Sequence, residues 1–293
     1  MRKFTALLLA MITVLSLSAT AMILPTYAGE VIYRDVSSKH WAYDSIVSVT
    51  EAGLMHGKGK TAGEYFDKRG NVNAAEIYAT LYRLAGMPEV KPAFENVLKL
   101  YGHSSGMFDK KWFAEEVYWA IHSGVTDVSW YIGSSDPTFV AMKIESGRVG
   151  STVNPIDVEE DEVLNPGFDP LENATRTDIV LSLYYYVDSI GKAEGFDTSV
   201  LKGFSDIDID NLVKSPNGKI ETFKNLFYEL HYDDFIAAWS WAVGTGIIEG
   251  YPDNTLGLYR KSDKNAPHKY VTRAEYAVIL DRFMQYLEDI KEG

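Results

Sequence analysis

The sequence of 293 residues contains no cysteine. Disulfide bonds are therefore excluded, and the folded chain must be held together by its apolar core. Basic residues are scarce, because 28 Lys and Arg stand against 41 Asp and Glu and give a formal net charge of −13. A field of that sign disfavours nucleic acid and acidic membranes as partners. An anionic ligand would have to be held by a few local Arg or Lys side chains.

Motifs for catalysis and metal binding are also missing. The six histidines show no His-x-x-x-His or His-Glu-x-x-His spacing, and the sequence has no Gly-x-Ser-x-Gly motif and no phosphate-binding loop. The acidic alternation that begins at Asp206 resembles a calcium loop, but its sixth and twelfth positions are Asn211 and Asn217 instead of Gly and Glu. We predict no enzymatic activity, no cofactor and no metal site.

The N-terminus carries the features of an export signal. Two positive charges at Arg2 and Lys3 precede an apolar stretch from Phe4 to about Leu24. Small residues follow at the positions that a signal peptidase reads, ending at Ala28. We predict a secretory signal peptide over residues 1–28, so that the cleaved protein is secreted and has no membrane attachment. A transmembrane anchor is the alternative, since the stretch is nearly long enough to span a bilayer.

Three segments of the remaining chain share one pattern. In the first two, a Trp precedes a Gly by 12 residues, from Trp41 to Gly53 and from Trp112 to Gly124. The third segment keeps the glycine as Gly246 but has lost the Trp. Apolar residues between these positions recur every three or four residues, which predicts a helix with one buried face. Each glycine stands where a left-handed helix C-cap is expected.

A second helix is predicted after each glycine and a polar loop. The three starts are Asn73-Ala74-Ala75-Glu76, Thr175-Arg176-Thr177-Asp178 and Thr272-Arg273-Ala274-Glu275. Each combines an N-cap residue with an acid three positions later, which is the pattern of a capping box. The chain therefore predicts one unit, made of helix, loop and capped helix, used three times.

The three units differ in length. They occupy residues 31–92, 105–192 and 203–290. From the glycine to the capping acid the chain runs 23, 54 and 29 residues, so the second unit carries a loop insertion at about 126–168. The third unit has an insertion at about 207–230. Long loops on a binding scaffold often carry specificity.

The repeated pattern resembles the S-layer homology domain. The closest match is the run from Gly246 to Thr255 followed by the run from Val271 to Tyr276. The first unit has Tyr33-Arg34-Asp35-Val36 where the family has Phe-x-Asp-Val, and it keeps His40-Trp41-Ala42. The resemblance covers residues from about 31 to 290. It implies an all-α fold in which three repeats form one pseudo-threefold helical bundle.

The family resemblance also implies a function. In the family, Arg-bearing helix starts line grooves that hold a cell-wall polysaccharide, typically one with a negatively charged pyruvate ketal. A guanidinium offers a carboxylate a planar fork of donors, and a helix N-terminus adds free N–H groups. The resemblance implies a non-catalytic envelope protein that binds anionic secondary cell-wall polysaccharide non-covalently at the bacterial surface.

By this resemblance, Arg176 and Arg273 are the ligands of the ketal carboxylate. The capping acids beside them, Asp178 and Glu275, belong to the same sites. An aspartate near the opening of each unit is expected to contact the glycan, to orient the groove or to cap the helix. These aspartates are Asp35, Asp109 and Asp206.

Four more residues are expected to shape the grooves. Gly250 and Tyr251 are expected to form the loop beside the third groove. Trp41 and Trp112 are expected to pack beneath their grooves as core anchors.

The first unit departs from the family because Ala74 occupies the Arg position. We expect its groove to be weak or silent unless Lys58, Lys60 or Lys68 substitutes. The sequence therefore predicts one good groove in the third unit, a modified groove in the second and a mainly structural first unit. The alternative is a structural or protein-interaction module that keeps the fold with reduced glycan binding. It would contact a protein partner or a second copy, with the 130–165 region as the interface.

Overall fold

The structure is a computed structural model, and it describes six stretches of the chain with gaps between them. The predicted signal peptide, Asp109, Lys60 and most of both insertions lie outside the described residues. None of the helices in those stretches is both long and apolar enough to cross a bilayer. The described residues are 33–58, 64–89, 111–126, 170–207, 229–258 and 270–292.

Regular structure in these stretches is helical, apart from isolated β-bridges, which confirms the predicted all-α class. The helices form three pairs in chain order, α1 with α2, α3 with α4, and α5 with α6. A 3₁₀ turn at Thr198–Leu201 packs against α5. The helix bounds are α1 Tyr43–Glu51, α2 Ala74–Leu84, α3 Ala114–His122, α4 Arg176–Ser189, α5 Glu229–Gly244 and α6 Arg273–Glu292.

The three helix pairs pack in a cycle. The second helix of each pair lies against the first helix of the next pair, so that α2 contacts α3, α4 contacts α5 and α6 contacts α1. Helix α2 also packs on α4. The last pair therefore closes back onto the first.

A ring of backbone hydrogen bonds joins the starts of α2, α4 and α6. The N–H of Val72 donates to the carbonyl of Val271 at 2.9 Å, the N–H of Val271 to that of Ala174 at 3.0 Å, and the N–H of Ala174 to that of Val72 at 2.9 Å. Each of the three residues stands two positions before its helix. Buried backbone groups are costly when unpaired, so each helix start depends on the other two.

Each of these starts carries the predicted capping box. The Asn73 side chain accepts from the N–H of Glu76, and the Glu76 carboxylate accepts from the N–H of Asn73. The equivalent pairs are Thr175 with Asp178 and Thr272 with Glu275. The capping prediction is confirmed for all three helices. One such cap contributes about 1 kcal/mol to stability.

The predicted left-handed glycines are also confirmed. Gly53, Gly124 and Gly246 have φ angles of 70°, 72° and 75°. Each follows the first helix of its pair and turns the chain into the loop.

Aromatic side chains form a continuous line through the core. Ring centroids are 5.6 Å apart from Tyr82 to Trp119, 6.3 Å from Trp119 to Tyr186, 5.9 Å from Tyr186 to Phe283 and 6.2 Å from Phe283 to Trp241. These five residues come from five different helices. Aromatic pairs contribute about 0.5–1.5 kcal/mol each beyond their buried area. These five aromatics are therefore core residues.

The prediction for Trp41 and Trp112 is wrong. Their side chains are 66% and 57% exposed. Both residues lie in the turn just before a helix, and the inward positions belong to their next neighbours, Ala42 and Phe113, which are buried. The buried face begins one residue later than the sequence pattern suggests, so both indoles lie at the surface.

Candidate functional site

The opening aspartates hold the loops that follow the first helix of a unit. The Asp35 carboxylate accepts from the N–H of Phe66 at 2.8 Å and from that of Lys68 at 3.1 Å. Asp206 does the same for the third unit, accepting from three successive N–H groups at 256–258. Helix α1 instead has Ala42 as its N-cap, without a side-chain bond. Of the two predicted structural roles, the aspartates orient the loop and do not cap the helix.

The Asp35 carboxyl is held in its charged form by these bonds. Partial burial raises its pKa, but the N–H donors of Lys68 and Phe66 and the positive charge of Lys68 outweigh burial and lower the pKa below its usual range. The loop backbone and a carboxylate therefore stabilise each other.

Arg273, predicted as a ligand of the ketal carboxylate, uses its guanidinium for contacts inside the protein. It is only 3% exposed. Its Nε donates to the carbonyl of Phe66 at 2.9 Å, its Nη2 donates to the carbonyl of His56 at 2.7 Å, and its Nη1 pairs with Glu76. The first turn of α6 is thereby fastened to the loop of the first unit. The prediction of an open fork at Arg273 is wrong, because the fork already has acceptors.

Arg176 makes the corresponding contact in the third unit. It is 7% exposed, donates from Nη2 to the carbonyl of Glu249 at 2.6 Å, and lies 4.4 Å from the centre of the Tyr251 ring. Its Nε has no hydrogen-bond partner among the residues that the structure describes. The arginine at the start of the second unit's helix therefore supports the third unit's loop.

This exchange of arginines corrects the prediction for the first groove. Ala74 does stand where the family has Arg, but the first loop receives its arginine from the third unit, as Arg273. The missing side chain at position 74 therefore does not deprive the first loop of an arginine. The ranking of the three grooves by their binding stays a prediction.

A groove of about 400 Å³ opens between the first loop, α2 and the start of α6. Its charged lining consists of three cations and one carboxylate, with neutral His56 beside them. The lining residues used below are Lys58, Arg83, Arg273, Glu76, His56 and Trp112.

Two cations of this groove, Lys58 and Arg273, pair with Glu76. Lys58 Nζ lies 3.2 Å from the Glu76 carboxylate, and its side chain is 44% exposed. Arg83 donates from Nη1 to the carbonyl of Leu54 at 2.7 Å. Burial, followed by the charges of Arg83 and Arg273, lowers the pKa of His56, so its imidazole is neutral at pH 7. The groove therefore has an excess of positive charge.

A second cavity of about 660 Å³ adjoins the groove and shares Lys58 with it. It contains Lys68 and Arg69 together with the half-exposed Tyr65. Asp67 also belongs to this cavity, 3.7 Å from Lys58 Nζ. Of the three lysines predicted as substitutes, Lys58 and Lys68 therefore line the first loop.

The third loop presents different chemistry. Tyr251 donates from its hydroxyl to Glu275 at 3.1 Å. Burial, opposed by Arg176 and assisted by Glu275, raises the pKa of Tyr251 to about 12, so the phenol stays neutral. A Cβ at Gly250 would lie 2.4 Å from Cε1 of Phe204, so only glycine fits there without displacing that ring. Gly250 and Tyr251 thus shape this loop.

Two residues of the first groove, Arg83 and His56, were not predicted from the sequence. Arg83 stands seven positions after the capping acid Glu76, and Arg282 stands seven after Glu275. That recurrence in two of the three units was a visible signal. His56 offers no such signal, because the third unit has Glu249 at the matching position, three residues after the glycine.

No protein-family model matches this sequence, and no curated protein matches it significantly. Among the described residues, no three His, Asp or Glu side chains gather closely enough to hold a metal ion.

Proposed function

We propose that this protein is an exported, non-catalytic envelope protein that binds an anionic, pyruvate-ketal-bearing cell-wall polysaccharide without a covalent bond. The observation that carries the proposal is the groove of the first unit. Lys58, Arg83 and Arg273 line that groove together with Glu76, its one carboxylate among the described residues, in a chain whose net charge is −13. A local positive site in an acidic protein favours a ligand with a negative charge of its own.

Each groove residue has a distinct part in this proposal. Lys58 is exposed enough to meet a carboxylate, and Arg83 adds positive charge behind it. The exposed indole of Trp112 at the rim offers a flat apolar face for a sugar ring. Arg273 positions the loop and neutralises Glu76 without needing to touch the ligand.

The repeated sequence unit gives independent support. The three-unit pattern, the capped helix starts and the export signal match what the S-layer homology family uses to attach to cell walls. The cyclic packing of the helix pairs is compatible with a pseudo-threefold bundle. We place the mature protein at the cell wall, with residues 1–28 removed.

Binding to purified sacculi tests the proposal. The wild-type protein should sediment with sacculi and be released when mild acid removes the pyruvate ketals. Lys58→Ala should weaken retention by about tenfold or more, because a charge-assisted contact contributes roughly 1.5–3 kcal/mol. Lys202→Ala, at an exposed position on the third unit, is the control and should bind like the wild type. Retention that is unchanged after removal of the ketals would contradict the assignment of the pyruvate ketal as the ligand.

A protein-interaction module is the second candidate. The burial of Arg176 and Arg273 favours it, since neither fork is open to a ligand. Exposed apolar side chains such as Trp41 and Met87 would then form the contact surface. Analytical ultracentrifugation separates the two candidates. Self-association together with no retention on sacculi would favour the interaction module, and a monomer retained by sacculi would favour the glycan binder.

A further inference from the structure

The first and third units build the same arrangement of groups around their loops. In each, an arginine from another unit reaches the loop carbonyl three residues after the left-handed glycine, Arg273 at His56 and Arg176 at Glu249. The residue two positions further on closes the loop through its N–H, from Lys58 to Tyr65 and from Tyr251 to Thr255. The two loops can therefore be compared position by position.

Three members of this arrangement are the same in both units. The buried arginine is Arg273 or Arg176, and the capping acid is Glu76 or Glu275. The third member is an arginine about two turns further along the second helix, seven residues after the acid in both units. It is Arg83 or Arg282.

Two members differ, and both differences change the charge. The neutral His56 of the first unit is replaced by Glu249, whose carboxylate lies 2.9 Å from the guanidinium of Arg282. The cation Lys58 is replaced by Tyr251, whose hydroxyl takes the place of the ammonium beside the capping acid.

The sum of these charges separates the two sites. Among the described residues, three cations line the first groove with one carboxylate, and Asp67 lies 3.7 Å from Lys58, so an excess of one positive charge remains. In the described part of the third loop, Arg176 and Arg282 face Glu249 and Glu275, which leaves none. The ring of Tyr251 also covers Arg176, with the ring centre 4.4 Å from the guanidinium carbon. The buried cation of the third unit is thus shielded from an incoming anion.

We propose that the residues at positions 56 and 58, and their counterparts 249 and 251, determine which groove accepts an anion. His and Lys make the first groove an anion site, whereas Glu and Tyr close the third groove to anions. This inference rests on the proposed function, because it assigns the negatively charged ligand to one of the two matching grooves. It also places the anion site in the unit whose own sequence departs most from the family.

A reciprocal exchange of these residues provides the test. The ligand is a synthetic methyl hexoside carrying a 4,6-linked pyruvate ketal, measured by isothermal titration calorimetry with its uncharged methyl ester as control. Wild type should bind one equivalent of the acid. His56→Glu combined with Lys58→Tyr should weaken binding at least about tenfold. Glu249→His combined with Tyr251→Lys should bind two equivalents.

The combined four-residue exchange should bind one equivalent again, now at the third unit. Chemical shifts of the Trp112 indole, which respond to ligand only in the first groove, locate the occupied site. Circular dichroism verifies that each variant is folded. The binding site gained in the third unit can be interpreted even without the loss of binding in the first-unit variant.

The outcomes are distinguishable. One wild-type site with no second site after the exchange at 249 and 251 overturns this inference and leaves the proposed function standing. Two equivalent sites in the wild type overturn it as well. No binding by the wild type or any variant overturns the proposed function and this inference together.

Discussion

At the scale of single residues, Arg273 shows how a charged side chain can be structural and still line the proposed groove. Three of its nitrogens donate to two carbonyls and one carboxylate, and its guanidinium lies over the Phe66 ring, with the guanidinium carbon 4.9 Å from the ring centre. A lysine could not make these bonds simultaneously, because it lacks the planar fork.

Arg273→Ala should lower the free energy of unfolding by about 3–5 kcal/mol, since it removes the buried cation that pairs with Glu76 and deprives two carbonyls of their donor. Urea denaturation followed by tryptophan fluorescence measures the change. Arg34→Ala is the control, because its ion pair with Glu64 is exposed at the arginine and should contribute less than about 1 kcal/mol. Equal effects of the two variants would contradict a structural role for Arg273.

Asp35 makes a pH-dependent contribution. Its pKa in the folded protein is lowered, so the stability it supplies is present above the unfolded value of about 3.8 and is lost as the pH falls through the folded pKa. Asp35→Asn should destabilise the protein by about 1 kcal/mol at pH 7. Denaturation curves at several pH values should show the gap between wild type and variant shrinking below about pH 4. A gap that is constant with pH would contradict this.

The residues of the arginine sites could be identified from the sequence, but their partners could not. Thr272 and Glu275 form a local motif, so the cap at Arg273 follows from three neighbouring residues. The acceptors of the Arg273 guanidinium lie about 200 residues away along the chain, at His56 and Phe66. Nothing in a single unit shows that its arginine will serve the loop of another one.

At the scale of elements, the contact between α1 and α6 joins the first and last helices of the described chain. Asp281 on α6 accepts hydrogen bonds from Ser45 at 2.9 Å and from Ser48 at 2.6 Å. The two serines lie three residues apart on α1 and so face the same way. A single carboxylate thereby fixes the register of one helix against the other.

Asp281→Ala should cost about 1–3 kcal/mol, because two partly buried hydroxyls lose their acceptor. Asp289→Ala, at an exposed site on the same helix, is the matched control and should change stability by less than about 0.5 kcal/mol. Thermal unfolding followed by circular dichroism compares them. In the triple variant that also carries Ser45→Ala and Ser48→Ala, the loss should be smaller than the sum of the separate losses. Full additivity would argue against a coupled contact.

Secondary-structure elements could be predicted from the sequence better than the contacts of single residues or the arrangement of the whole molecule. Capping boxes and left-handed glycines depend on neighbours in sequence, and both predictions are confirmed. The exposed Trp41 shows the limit, because a helical pattern gives the spacing of a face but not the residue at which the helix begins. A shift of one position, from Trp41 to Ala42, moved the indole from the predicted core to the surface.

At the scale of the whole molecule, the backbone ring through Val72, Ala174 and Val271 makes the three helix pairs one folding unit. If one helix pair left the bundle, one backbone N–H and one backbone carbonyl in the other two pairs would lose their hydrogen-bond partners. The continuous line of aromatic rings crosses the same boundaries.

We expect one cooperative unfolding transition. Far-ultraviolet circular dichroism and tryptophan fluorescence should report the same midpoint, and the calorimetric enthalpy should equal the van't Hoff enthalpy. Asp281→Ala should lower that midpoint without splitting the transition. Two separated transitions would show that the helix pairs unfold independently. This cooperativity could not be read from the repeated sequence, which by itself is equally compatible with three separate domains.

The ring also constrains the order in which the chain can complete its fold. A polypeptide that leaves the ribosome or crosses a membrane from its N-terminus delivers Val72 long before Val271. Until residue 273 has emerged, the first loop lacks its arginine and α1 lacks its neighbour α6. Apolar faces therefore stay open to solvent, to holding factors and to proteases for most of the synthesis of the chain. Assembly must wait for the last unit, so a polypeptide truncated before it would be cleared instead of accumulating as a smaller folded protein.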